Sequence, residues 1–253
     1  MKYAQLIRLL VGRELTLRYK RSVIGIGWTL LNPMLTSFVL WVVFSFVFAS
    51  KLPSGQQFAP YLMAGILFST FFNSGVLQSS DSIAGNSGVL TKIYVPPQIF
   101  ALSSSIASMS NFFLGMLPLT LVVYISGQSV SIYFPVVFLL GVMLCFLVAG
   151  IGLSLSILFV RFDDARNIVN VLLMMLTYFT PIFYPVTILS PRLQEIVRLN
   201  PLTSFLNIYR WSFSNNSMVT AFDFIYAFSS SMLIFTFGIW VFQKYWPRTV
   251  AML

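Results

Sequence analysis

Six apolar stretches, at roughly 30–50, 58–79, 98–124, 133–160, 167–187 and 222–243, run through this 253-residue chain, and none carries Lys, Arg or Glu in its middle. A bilayer core is crossed by about 20 apolar residues in a helix, and one charge at the centre of such a helix costs ~2.5–3.5 kcal/mol. Backbone groups in lipid must pair within the protein, so only helices or a closed barrel can span it. Barrel strands alternate polar and apolar residues at every second position, and these stretches do not. The expected fold is therefore all-α and integral to the membrane, with six transmembrane helices. Asp223 sits at the edge of the last.

Composition agrees. Hydrophobic residues make up 58% and charged residues 8% of the chain, against roughly a quarter charged in soluble domains. The net charge of +9 could suggest a nucleic-acid partner, but the basic residues lie in short segments beside apolar runs, as the positive-inside rule expects. With the amino terminus inside, the internal segments hold Lys2, Arg8, Arg13, Arg18, Lys20, Arg21, Lys92, Arg161, Arg166, Lys244 and Arg248, and the external ones Lys51, Arg192, Arg198 and Arg210. Both termini are then expected in the cytoplasm, with no nucleic acid as partner. Residues 1–21 show no leader-type apolar core with a small-residue cleavage site, so no cleavable signal is expected. There is no histidine, and the one cysteine, Cys145, lies in an apolar run. Zinc sites, haem ligation, histidine catalysis and intramolecular disulfides are excluded on that ground.

The connections differ in kind. Residues 51–57 and 125–132 are short external turns, 80–97 is an internal loop closing on Pro96-Pro97, and 161–166 is a charged internal turn. The longest connection, 186–221, is external; Leu193 to Leu199 suits a short interfacial helix ended by Asn200-Pro201. In the cytoplasmic segment 1–27, Tyr3, Leu6, Ile7, Leu10 and Leu17 share a helical face, and Glu14 can pair with Arg18. This fits an amphipathic interfacial helix, or equally a generic basic anchor. Trp28 suits the interface, and Asn32-Pro33 disfavours a helix continuing from upstream.

Little conventional chemistry is available. Asp163 and Asp164 form the only close carboxylate pair, between Arg161 and Arg166; a helix-start cap with local ion pairs explains them more simply than catalysis. None of the five lysines follows a glycine, so the phosphate-binding loop Gly-x-x-x-x-Gly-Lys-Ser/Thr is absent. The spans carry no buried Glu, Lys or Arg of the kind ion-coupled carriers use, although a passive channel stays open. They carry aromatics instead. Trp41, Phe44 and Phe48 share a face of the first span, and Tyr178, Phe179, Phe183 and Tyr184 surround Pro181 and Pro185 in the fifth. Ring faces with polar edges suit a sliding sugar chain, and they suit lipid contact or packing too. The rows Ser103, Ser104, Ser105, Ser108, Ser110, Asn111 and Gly150, Gly152, Ser154, Ser156 fit close helix packing better than substrate contact.

The ordered landmarks resemble a known family. A basic start running into Arg18-Tyr19-Lys20-Arg21-Ser22-Val23-Ile24-Gly25, then Trp28 and Leu31-Asn32-Pro33, is similar to the permease subunits of bacterial type-2 ABC exporters of polysaccharides: lipid-linked O-antigens, capsules and teichoic acids. Thr91-Lys92-Ile93-Tyr94-Val95-Pro96, Asp164, Pro181-Ile182-Phe183-Tyr184-Pro185, Asn200-Pro201-Leu202 and Tyr209-Arg210 follow in the family's order. Asp163 departs from the pattern, since members often place Arg there. The resemblance implies a type-2 ABC exporter fold in the bacterial inner membrane and a homodimer docked on a pair of separate ATPase subunits. The partner would bind ATP and Mg; this chain would bind no cofactor or metal and would not itself be an enzyme. It further implies a coupling helix over 80–95, with Asp81, Ser82, Asn86, Thr91, Lys92 and Tyr94 toward the ATPase. Arg18, Tyr19, Arg21, Trp28 and Asp164 would belong to a cytoplasmic gate, 186–221 to an external gate, and the aromatics above to the channel. A drug- or lipid-exporting permease of the same architecture, and a multi-pass enzyme acting on lipid-linked sugars through Asp163 or Asp164, are the rival readings.

Overall fold

The computed structural model describes residues 2–19, 24–25, 27–48, 52, 57–90, 92, 95–213 and 219–250, with side chains throughout except at 2–3, 17–19, 29 and 47–48. Every described element is helical. In chain order they are α1 (Lys2–Tyr19), α2 (Gly27–Phe48), α3 (Phe58–Asp81), α4 (Ser87–Leu90), α5 (Gln98–Ile125), α6 (Val136–Arg161), α7 (Ala165–Phe179), α8 (Pro191–Leu199), α9 (Pro201–Phe213) and α10 (Ala221–Thr249), with 3-10 turns at Ala84–Asn86 and Val186–Ile188. Among the described residues α3, α5, α6 and α10 are long and apolar enough to cross a membrane, and shorter apolar stretches occupy Leu30–Phe46 and Ala165–Phe179.

Helix α3 is the centre of the bundle, touching α2, α5, α6, α7 and α9. Lipid tails are as apolar as leucine, so helices in a bilayer associate through close packing and polar bonds rather than through exclusion from water. Small residues make that approach possible here. Gly152 of α6 lies against Ser79 of α3, and Gly150 and Gly238 bring the backbones of α6 and α10 together. The Ser79 hydroxyl donates to the Ala101 carbonyl at 3.1 Å, and the Ser105 hydroxyl contacts that of Ser79 at 3.1 Å. These members of the two small-residue rows thus serve helix packing. Aromatics fill the wider gaps: Phe71 and Phe112 are 4.7 Å apart by ring centroid, and Phe112 and Tyr209 5.1 Å.

Two local features depart from the sequence expectations. Helix α2 runs through Pro33; the proline gives up one amide donor, and the helix starts ahead of it where Gly25, at φ +57°, turns the chain and accepts from the Trp28 amide at 3.3 Å. The expected fifth span, 167–187, is a 15-residue helix that stops at Phe179. Thr180, just before Pro181, is extended at ψ 135°, because a following proline disfavours helical geometry. Helix α1 lies against α5, with Leu10 on a small cluster of Ile83, Phe100, Ala101, Leu153, Ile157 and Phe242, while Leu9 is 70% exposed. The expected break at Asn200-Pro201 is present, separating α8 from α9.

Candidate functional site

At the Asp81 end of the bundle, α1, the turn after α3 and the start of α7 are tied by polar contacts. Ile83 is fully buried and anchors that turn. The Ser82 hydroxyl donates to the Ser79 carbonyl at 2.7 Å, and the Asn86 amide to the Ser82 carbonyl at 2.7 Å. Arg13 Nη1 donates to Asn86 Oδ1 at 2.9 Å, and the Ser104 hydroxyl to Glu14 Oε1 at 3.0 Å. Glu14 therefore reaches α5, while the side chain of Arg18, its expected partner, lies outside the described residues. Arg13, Glu14, Ser82 and Asn86 border a cleft of about 160 Å³ that also includes Phe100 and Ser103.

The Arg166 guanidinium donates to Asp81 Oδ1 through Nε at 2.8 Å and lies 2.7 Å from it through Nη2. It also meets Asp163 at 3.4 Å and lies over the Phe159 ring at 5.6 Å. The Asp81 hydrogen bond holds the Arg166 proton above the usual guanidinium range. Asp164 occupies the position before α7, exposed, without a side-chain cap bond. Lys92 and Trp28 are exposed. Thr91, Tyr94 and Arg21 lie outside the described residues, as do the side chains of Arg18, Tyr19 and Phe48.

Of the expected channel aromatics, Trp41 lines one cleft and Tyr178 and Phe183 another, and the two clefts share no lining residue. Trp41 and Phe38, 6.2 Å apart by ring centroid, border a groove of about 620 Å³ with Met34, Phe58, Met63 and Val122, between α2, α3 and α5. Phe44 packs half-buried against the main core. Tyr178 and Phe183, 5.8 Å apart, border a cleft of about 200 Å³ with Asn73, Asn170 and Thr177, between α3 and α7. Phe179 is exposed, and the Tyr184 hydroxyl donates to the Tyr178 carbonyl at 3.1 Å.

Beyond α7 lies a knot that sequence reasoning missed. Arg210, counted among the external charges, is 6% exposed. Its Nη1 donates to the Pro181 carbonyl at 2.8 Å, and its Nη2 to the carbonyls of Ile182 at 2.9 Å and Tyr61 at 3.3 Å. The guanidinium lies 3.4 Å from the centre of the Tyr61 ring, whose hydroxyl donates to the Tyr184 carbonyl at 2.9 Å. A broken helix within a membrane protein leaves carbonyls that must find partners, and a planar guanidinium with five donors supplies several at once. A Cβ on Gly65 would meet Ile182 Cγ2 at 2.8 Å, so the knot also needs that glycine. The signal was available: Arg210 is the only charged residue between Asn200 and Thr220, in a segment resembling a buried helix.

Residues 5–214 match the model of the ABC-2 type transporter family. The chain is 31% identical over 226 residues to the O-antigen export system permease protein RfbA of Myxococcus xanthus, covering 87% of this chain and 84% of the relative. It is 25% identical over 244 residues to the protein of the same name from Klebsiella pneumoniae, covering 94% and 91%. The polysialic acid transport protein KpsM of Escherichia coli is 22% identical over 199 residues, covering 78% and 77%. With the family model spanning most of the helical bundle and the relatives aligned nearly end to end, the chain belongs to the ABC-2 type transporter family, alongside the permeases of polysaccharide exporters.

Proposed function

We propose that this chain is the permease half of an ATP-driven exporter that moves a lipid-linked polysaccharide of O-antigen or capsule type across the cytoplasmic membrane. The observation that carries the proposal is the near end-to-end match to permeases named for O-antigen export; the relatives' names lend no support to a teichoic-acid cargo. In this reading α2 and α7 complete a six-span topology with α3, α5, α6 and α10, both termini face the cytoplasm, and α1 lies along the inner headgroups. The Asp81 end, with the turn over residues 82–90, meets a separate ATPase that binds ATP and Mg; this chain binds neither. Helices α8 and α9 form the outer gate.

Export needs a second copy of the chain. Within one chain the Trp41 and Tyr178 clefts are separate, so a continuous aromatic wall requires two chains facing each other. Exposed Trp41, Tyr178 and Phe179 offer faces on which sugar rings can stack and slide, with Asn170 and Thr177 alongside for hydroxyl groups.

The first test is whether a neighbouring reading frame encodes an ATPase that copurifies with this chain, and whether the reconstituted pair exports polymer in an ATP-dependent way. Trp41→Ala and Tyr178→Ala should each cut export several-fold while the complex still assembles by size exclusion. Wild-type export by both variants would remove these rings from the channel wall.

A further inference from the structure

Helix α7 is held to the bundle in an unusual way. Of its 15 residues only Ala165, Val169 and Leu173 are buried, one narrow stripe at i, i+4, i+8. Ile168, Leu172, Met175, Tyr178 and Phe179 are each more than half exposed. What apolar packing does not supply, polar pegs into α3 do. Arg166 pairs with Asp81 at 2.7 Å, the Asn73 amide donates to the Thr177 hydroxyl at 2.9 Å, and Tyr61 bonds the Tyr184 carbonyl just past the helix end. Asp81 is the last residue of α3 and leads directly into the turn over residues 82–90. That turn is itself stiff, being pinned by buried Ile83 and by the Asn86 and Ser82 bonds.

We infer that the Asp81–Arg166 ion pair is the strut that carries a displacement of the 82–90 turn into α7, and so to Tyr178 and Phe179 at its far end. The inference rests on the function proposed above for the direction of the work, while the mechanical linkage stands on geometry. Two nitrogens of one guanidinium converge on one carboxylate oxygen, and the cation rests against Phe159, which is 3% exposed. The pair therefore holds the end of α3 and the start of α7 at a fixed distance, with the shared oxygen as the pivot between them. Asp81 and Arg166 are positioning residues: neither borders the cleft containing Tyr178.

The same assignment alters the expected role of Asp81. A carboxylate committed to Arg166 acts within the chain, leaving the exposed turn residues to meet a partner. Arg13 adds a second output, since its bond to Asn86 attaches α1 to the same turn. One moving element would thus shift α1 and α7 together.

The test compares the wild-type permease–ATPase complex in proteoliposomes with Asp81→Asn, Arg166→Gln and the exchanged pair Asp81→Arg with Arg166→Asp. Each single variant should export several-fold less polymer per ATP hydrolysed, and the exchanged pair should recover much of that ratio. Nitroxides at Gly88 and Phe179, both exposed, in a Cys145→Ala background, give a readout that needs no transport. Their distance distribution should broaden in the permease carrying either single substitution and narrow again in the exchanged pair. Singles that export as much polymer per ATP as wild type, an exchange no better than the singles, or label distances indifferent to Asp81→Asn would each overturn the strut. Failure of the unsubstituted complex to export polymer would count instead against the proposed function, and the label readout would still decide the linkage.

Discussion

Arg210→Met is expected to cost the protein about 3 kcal/mol, because it removes a charged donor from three carbonyls at once, each such bond contributing ~1 kcal/mol or more, although the Pro181 carbonyl keeps the Tyr61 hydroxyl at 3.3 Å. The carbonyls of Pro181, Ile182 and Tyr61 all lose a bond, and the Tyr61 ring loses the cation 3.4 Å from its centre. Arg210→Lys should fall between wild type and methionine: the charge stays, but one ammonium cannot reach both sides of the break as a planar fork does. Tyr61→Phe should cost about 1 kcal/mol, a single hydrogen bond, since the ring under the cation is kept. Fluorescence-detected size exclusion after heating in detergent orders the three. A methionine variant that melts with the wild type would show that the Thr180–Pro185 break is supported some other way.

This knot marks where legibility in the sequence ends. The long uncharged runs gave α3, α5, α6 and α10, because lipid tolerates one solution for an uncharged segment of that length. Pro181 and Pro185 could be seen to disturb the fifth span, yet the outcome, a helix stopped at Phe179, depended on what would satisfy the freed carbonyls. That donor lies 29 residues further on for Pro181, and no local periodicity connects them. Asp81 and Arg166 were legible only separately, one in a loop and one in a charged turn, 85 positions apart. Asp163 and Asp164 could be read more fully. They immediately precede α7, and the Asp163 contact to Arg166 at 3.4 Å is the local ion pair their spacing suggests, while the expected side-chain cap from Asp164 is not made. Which aromatic faces a cleft and which a core was not readable either: Trp41 and Phe44 share a helical face by spacing, but Trp41 lines the groove while Phe44 packs half-buried against the main core.

The small-residue rows, by contrast, carry their consequence directly, and they yield the second large effect. Helices α6 and α10 form the most extensive helix pair in the bundle, and they cross at Gly150 and Gly238. A Cβ on Gly150 would lie 2.5 Å from the Ile234 carbonyl oxygen and 2.6 Å from the Phe235 Cα, and one on Gly238 would run into the Gly150 carbonyl. These obstacles are backbone, so they cannot swing aside as a side chain would; the helices must separate along the whole contact. Gly150→Val and Gly238→Val should therefore each destabilise by ~3 kcal/mol or beyond, at and above the upper end for overpacking, although valine alone is the better helix former. A graded control follows from what each added carbon meets. On Gly141 it meets side chains, the Phe113 ring tip at 2.7 Å and Met109 at 3.8 Å, so Gly141→Ala should cost less than Gly150→Ala. On Gly12 it meets nothing within 4 Å, so Gly12→Ala should be neutral or stabilising by up to ~1 kcal/mol through helix propensity. If melting temperatures put Gly238→Val beside Gly12→Ala, then the α6–α10 crossing is not a close backbone contact, and the bundle is held together by something other than this approach.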